Sequence, residues 1–154
     1  MADNEQSVQQ QFAIQRLYVK DLSFETPMGP KVFTLTWKPG FTVDLNTSSK
    51  KIEDNLYEVV LQVTVTTRLD DEVVALIEVQ QAGLFVVTGF EGDDLRRALT
   101  IGAPSLLFPY LREVVDSTAV RGGFPPVGLQ PVNFEALYMQ AVAKSRQEAQ
   151  PTAH

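Results

Sequence analysis

Histidine is the side chain most often used as a general base near neutral pH, and this chain has only one, His154, at its last position. Catalysis needs a group held within about 0.5 Å of its productive place. A terminal residue is not held so, which excludes Ser-His-Asp chemistry, histidine bases and most transition-metal sites. The absence of cysteine removes disulfides, thiolate metal sites and thiol nucleophiles. Carboxylates cluster at Asp70-Asp71-Glu72 and at Asp93-Asp94. Neighbouring carboxylates in a turn are solvated, however, and a divalent cation needs several converging oxygens. Gly83, Gly89 and Gly92 have neither the dinucleotide nor the P-loop spacing. These residues imply a binding protein with no catalytic residues, no metal and no cofactor.

The distinctive stock of the chain is apolar bulk beside prolines and glycines. Phe33 and Trp37 lie between Pro30 and Pro39-Gly40, and Phe124 and Leu129 lie in a run that ends at Pro131-Val132. Any one of these side chains either plugs the core or lines a surface. Together, two irregular segments rich in large side chains suit the walls of a groove. Such a groove takes extended polypeptide, with pockets for side chains and sheet-edge groups for main-chain bonds. The formal net charge of -6 and the pI of about 4.7 speak against nucleic acid, which demands a positive stripe. They favour a basic protein partner.

The elements that must position these residues follow from periodicity. The 154 residues make one domain, expected over 12–142, with a disordered polar tail at 1–11 and a flexible one at 143–154. Phe12, Ile14, Tyr18, Leu22 and Phe24 share one parity and Leu17 and Val19 the other, which predicts a strand with a bulge or a change of face. Val32–Trp37 reads either as a loop over the core or as a short edge strand. Phe41, Val43 and Leu45 alternate with polar residues, as do Tyr57, Val59, Leu61, Val63 and Val65; both are strands. Turns at Asp54-Asn55 and Leu69–Glu72 join them to a strand over 73–88. That strand has two semi-apolar faces, one carrying Ala75, Ile77 and Val79 and the other Val74, Leu76 and Ala82, so burial under the chain's own helices accounts for only one of them.

Helices come last. Asp93-Asp94 suits a helix start, Gly102-Ala103 interrupts the pattern, and Pro104 opens a long helix to about Val120 with a kink or restart near Pro109. Asn133 caps a final helix that carries Phe134, Leu137, Tyr138 and Ala141 and fades at Lys144–Glu148. Strands first and helices last predict an α+β fold, an antiparallel sheet with helices on one side. No stretch is long and apolar enough to span a bilayer, and the polar, acidic start has no signal-peptide pattern, so the expectation is a cytoplasmic protein without direct membrane insertion.

Six stretches, in order, carry a resemblance: Ile14–Glu25 (IQRLYVKDLSFE), Asn55–Leu61 (NLYEVVL), Glu78–Gly83 (EVQQAG), Leu107–Glu113 (LFPYLRE), Arg121–Pro126 (RGGFPP) and Leu129–Leu137 (LQPVNFEAL). The chain resembles the bacterial protein-export chaperone family SecB over about residues 12–140. The resemblance implies a four-stranded antiparallel sheet with two main helices, a homotetramer built as a dimer of dimers, and ATP-independent holding of unfolded precursor proteins for delivery to the motor ATPase SecA. It implies SecA binding by Asp21, Glu25, Leu76 and Glu78, and ties Ala75, Ile77, Val79 and Gln81 to subunit assembly. It places the client groove at the crossover and C-terminal helix, with Trp37, Phe124, Phe134, Leu137, Tyr138 and Met139 as its candidates. Members often have cysteine where this chain has Ile77. The second reading of the same residues is an adaptor for one specific folded or peptidic partner, which would ignore unrelated unfolded proteins.

Overall fold

The computed structural model of the chain describes residues 9–149. Residues 1–8 of the expected tail, and His154, lie outside the described residues. The elements are β1 (Gln11–Glu25), a 3-10 turn (Gly29–Thr34), β2 (Gly40–Glu53), β3 (Leu56–Leu69), β4 (Glu72–Thr88), α1 (Gly92–Arg97), a π turn (Ala98–Gly102), α2 (Ala103–Arg121) and α3 (Phe134–Ala149). The four strands form one antiparallel sheet in the order β1-β4-β3-β2. This is the predicted α+β architecture.

The hairpins follow from their turn residues. Asp70 and Asp71 both adopt positive φ, the signature of the tight turn whose twist matches flanking strands. Asn55, also at positive φ, closes the β2–β3 hairpin. The β1–β2 connection crosses the end of the sheet as a 3-10 turn that buries Val32, so of the two readings it is the loop over the core and not the edge strand.

β1 resolves its mixed parity with two bulges, between Ile14 and Arg16 and between Val19 and Asp21. Each bulge inserts one residue and flips the alternation. Phe12, Ile14, Leu17, Val19, Leu22 and Phe24 therefore all pair with the helix-side residues of β4, while Tyr18, Asp21, Ser23 and Glu25 pair with the residues of its other face. A further irregularity, between Thr67 and Arg68, leaves Val74 without a partner. Val74 joins the core, so it is not displayed on the open face as its parity predicts.

α2 covers one face of the sheet. Its stripe Leu107, Leu111, Val115 and Ala119 recurs every four residues and is buried in the same core as Val59, Leu61, Val63, Val65, Ile77, Val79 and Phe85. Burial of each large side chain is worth about 1.5–3 kcal/mol. Gly83 is needed under this helix, because a Cβ there would come within 2.8 Å of the Phe85 ring and 3.1 Å of Leu107. Two helical expectations change. The chain stays helical from Gly92 through the π turn into α2 and passes Pro109 without a break. α3 also extends to Ala149, so residues 143–149 are helix rather than tail.

The open face carries a polar bridge. The Tyr18 hydroxyl donates to one oxygen of Glu58 and Lys20 Nζ donates to the other at 2.8 Å. Burial, then the hydrogen bond to Glu58, pushes Tyr18 up from 10.0 to about 12. Lys20, then Tyr18, holds the Glu58 carboxyl below its usual range. The linkage signs differ. The contribution of Glu58 is present above the ordinary carboxylate range and lost as pH falls through its lowered value. That of Tyr18 is complete below pH 10.0 and lost as pH rises towards about 12. The stability margin of the wild type over Tyr18→Phe is therefore expected to shrink as pH rises from about 10 towards about 12 in denaturant titrations; an unchanged margin would contradict this assignment.

Candidate functional site

A groove with a volume of about 560 Å³ lies at the β2 edge. Phe41, Val43 and Leu45 of β2 form one side. Phe108 of α2, Val127–Val132 of the crossover and Leu137 of α3 form the rest. The alternation of β2 aims Phe41, Val43 and Leu45 to the helix side, but no helix covers them fully. Phe41 stays 44% exposed, Val43 46% and Leu137 46%. Gln130 is the lone polar side chain in the lining, so the lining suits apolar groups. β2 is an edge strand, so unpaired main-chain groups run alongside.

The crossover is irregular because its prolines cannot donate. Hydrogen bonds at its ends and middle hold it. Phe124 N–H donates to Ala119 O (2.9 Å), Gly128 N–H to Asp116 Oδ1 (2.9 Å), and Ala136 N–H to Asn133 Oδ1 (3.0 Å), which is the N-cap expected for α3. Gly128 has φ +66°, a conformation glycine adopts without strain.

Of the six residues expected to line a client groove, the structure brings only Leu137 into it. Phe124 and Phe134 are core residues. Trp37 packs against that core, its ring 5.5 Å from Phe124. Tyr138 is buried and donates to Asp93 Oδ1 at 2.7 Å. Met139 is exposed outside the groove. Sequence reasoning missed Phe41, Val43, Leu45, Phe108, Val127 and Val132. The available signal was that β2 places Phe41, Val43 and Leu45 in its first half, followed by Thr47, Ser48, Ser49 and Lys50.

Asp21, Glu25, Leu76 and Glu78 do come together on the open face. Register pairs Glu25 with Leu76, Ser23 with Glu78, and Asp21 with Gln80. Across the sheet, Glu78 lies opposite Thr64 and Thr64 opposite Asp44. Glu78 is exposed and accepts a bond from Ser23 Oγ at 3.3 Å. This end of the face is a flat acidic surface with a half-buried leucine in it; Arg68 lies one row beyond Thr66 on the same face.

Ala75, Ile77, Val79 and Gln81 are elsewhere. All four are at most 3% exposed within the single chain. Ala75, Ile77 and Val79 sit in the core beneath α2, and Gln81 donates to Tyr18 O at 3.2 Å. Within the single chain they are buried and not surface residues. The apolar surface left open near β1 is instead Val19 and Leu22, beside Val114 and Thr118 of α2 in a shallow hollow of about 210 Å³. Among the described residues, no three His, Cys, Asp or Glu side chains converge as a metal site, and no helix is long and apolar enough to cross a membrane.

Comparison with known proteins gives these surfaces their context. Residues 5–145 match the family described as preprotein translocase subunit SecB. The protein-export protein SecB of Marinobacter nauticus is 50% identical over 148 residues, 96% of this chain and 90% of its own length. That of Hahella chejuensis is 49% identical, covering 99% of this chain and 96% of its own. A SecB-like chaperone from Mycobacterium tuberculosis, solved in complex with an antitoxin peptide, shares the fold at a TM-score of 0.66 and 16% identity, over 79% of this chain and 90% of its own. The match runs through every strand and helix described above, and on that ground the chain belongs to the SecB family of protein-export chaperones.

Proposed function

We propose that this SecB-family chaperone holds precursor proteins unfolded in the cytoplasm, without ATP, and delivers them to SecA, acting as a dimer of dimers. The observation that carries the proposal is the apolar groove beside the free edge of β2. Apolar pockets reward any large side chain at about 25 cal/mol per Å² removed from water, and main-chain bonding at a strand edge ignores sequence. Such a site distinguishes unfolded from folded chains, because a native protein has already hidden what the groove needs. The mycobacterial SecB-like chaperone with its bound peptide is the precedent on this fold.

Assembly adds reach. The exposed Val19 and Leu22, the outer edge of β1, and Leu106, Tyr110 and Val120 of α2 offer self-association surfaces away from the groove. Linked subunits then hold one client at several points through effective concentration, and binding the unfolded state opposes folding by linkage. The acidic face around Glu78 suits the basic, zinc-bearing tail of SecA; the zinc would belong to that partner. Retarded refolding of a denatured precursor tests the reading, with Val43→Asp plus Leu137→Asp as the groove-blocked control. An adaptor would leave unrelated clients untouched.

A further inference from the structure

We propose that Glu58, with Lys20 and Tyr18, is a register latch that positions the acidic docking face from outside it. The inference rests on the reading of that face as the SecA-docking surface. The face exists only because of the second bulge in β1. Before it, Val19 pairs with Gln81; after it, Asp21 pairs with Gln80 and Glu25 with Leu76. Without the extra residue, Lys20 would face Gln80, and Asp21, Ser23 and Glu25 would turn under the sheet towards α2, because a one-residue slip exchanges the faces of a strand.

Two sets of contacts hold that extra residue in place. From beneath, Phe24 packs into the core against Phe124 and over Gly122. From above, the inserted residue itself, Lys20, reaches over β4 to Glu58 on β3 at 2.8 Å, and Tyr18, two residues earlier, grips the other oxygen of the same carboxylate. One carboxylate thus ties both the inserted residue and the strand just before it to a central strand, while buried Gln81 bonds the main-chain oxygen of Tyr18 at 3.2 Å. Within the single chain β1 is paired on one side only, and such strands slip where nothing else fixes register.

The latch makes a prediction opposite in sign to plain electrostatics. Lys20 is a cation near an acidic surface, so its removal should tighten a basic ligand by charge alone. The latch says that Lys20→Met weakens it. Three quantities are to be measured on the full-length assembled protein: amide hydrogen exchange over residues 21–25, affinity for the zinc-loaded C-terminal peptide of SecA, and affinity for an unfolded precursor. Lys20→Met and Glu58→Gln are expected to speed exchange about tenfold as local opening becomes easier and to weaken the peptide about threefold or more. Precursor affinity stays unchanged, and Lys20→Arg, which keeps the ion pair, restores both losses. Unchanged exchange in both variants, or tighter peptide binding by Lys20→Met, overturns the latch. If Glu78→Lys weakens the peptide while the latch variants do not, the positioning role fails and the docking face stands. If none of the three weakens it, the docking reading itself fails.

Discussion

Glu78→Lys is expected to weaken the proposed binding to SecA about 100-fold at low ionic strength, or about 2.7 kcal/mol, and to leave precursor affinity within about twofold. Glu78 is exposed and sits in a row with Ser23, Thr64 and Asp44. Reversal of its charge puts a cation amid Asp21, Glu25 and Asp44, where a basic ligand would otherwise meet a carboxylate. Like-charge juxtaposition at an interface costs several kcal/mol. The loss should shrink as salt is added, since screening acts over about 8 Å at physiological strength. Stability should change by no more than about 0.5 kcal/mol, as for surface substitutions generally. The groove lies on the other face of the sheet, so client titration is the internal control. Equal loss of both partners would sink the assignment.

Phe124→Ala is the change expected to cost the most stability, about 3–5 kcal/mol for a buried phenylalanine. Phe124 is 7% exposed, and its ring lies 5.5 Å from Phe33, 5.5 Å from Trp37 and 6.1 Å from Phe24. It therefore ties the end of β1, the β1–β2 connection and the start of the crossover into one aromatic knot. The glycines beside it are shaped to this packing. A Cβ on Gly122 would fall 2.2 Å from the Phe24 ring, and one on Gly123 would fall 2.9 Å from Phe33. Loss of Phe124 frees the crossover that walls the groove, so client affinity should fall too, without any direct contact. Leu137→Asp separates the two causes: half-exposed in the groove, it should lower client affinity at nearly wild-type stability. A wild-type denaturation midpoint for Phe124→Ala would show that the knot is not part of the core.

The sheet was legible in the sequence because period-two alternation and turn residues are local signals. Asp70-Asp71 and Asn55 marked both hairpins, and the split parity of β1 announced a bulge. That there are two, and that a third irregularity hides Val74, depends on pairing with strands distant in sequence. The acidic cluster was legible only through family resemblance; the register then gave it a physical basis. The groove was least legible. Phe41, Val43 and Leu45 show by alternation that one side of β2 is apolar, but not whether another element covers that side. Phe108 falls on the buried half of a helical wheel, and nothing local tells that its edge borders a groove. Conversely, Phe124 looked like a binding residue because large side chains beside prolines are unusual, and Phe134 through the family resemblance, yet both are buried in the core, with Trp37 packed partly buried against it.

Refolding of a denatured precursor, followed by its own fluorescence in the presence of increasing amounts of this protein, is the most direct test that open apolar surface on the assembled sheet captures unfolded chains. The account predicts that refolding slows until nearly all precursor is held, and that Val43→Asp combined with Leu137→Asp restores most of the spontaneous rate. Refolding at its unassisted speed beside an excess of the wild-type protein would contradict it.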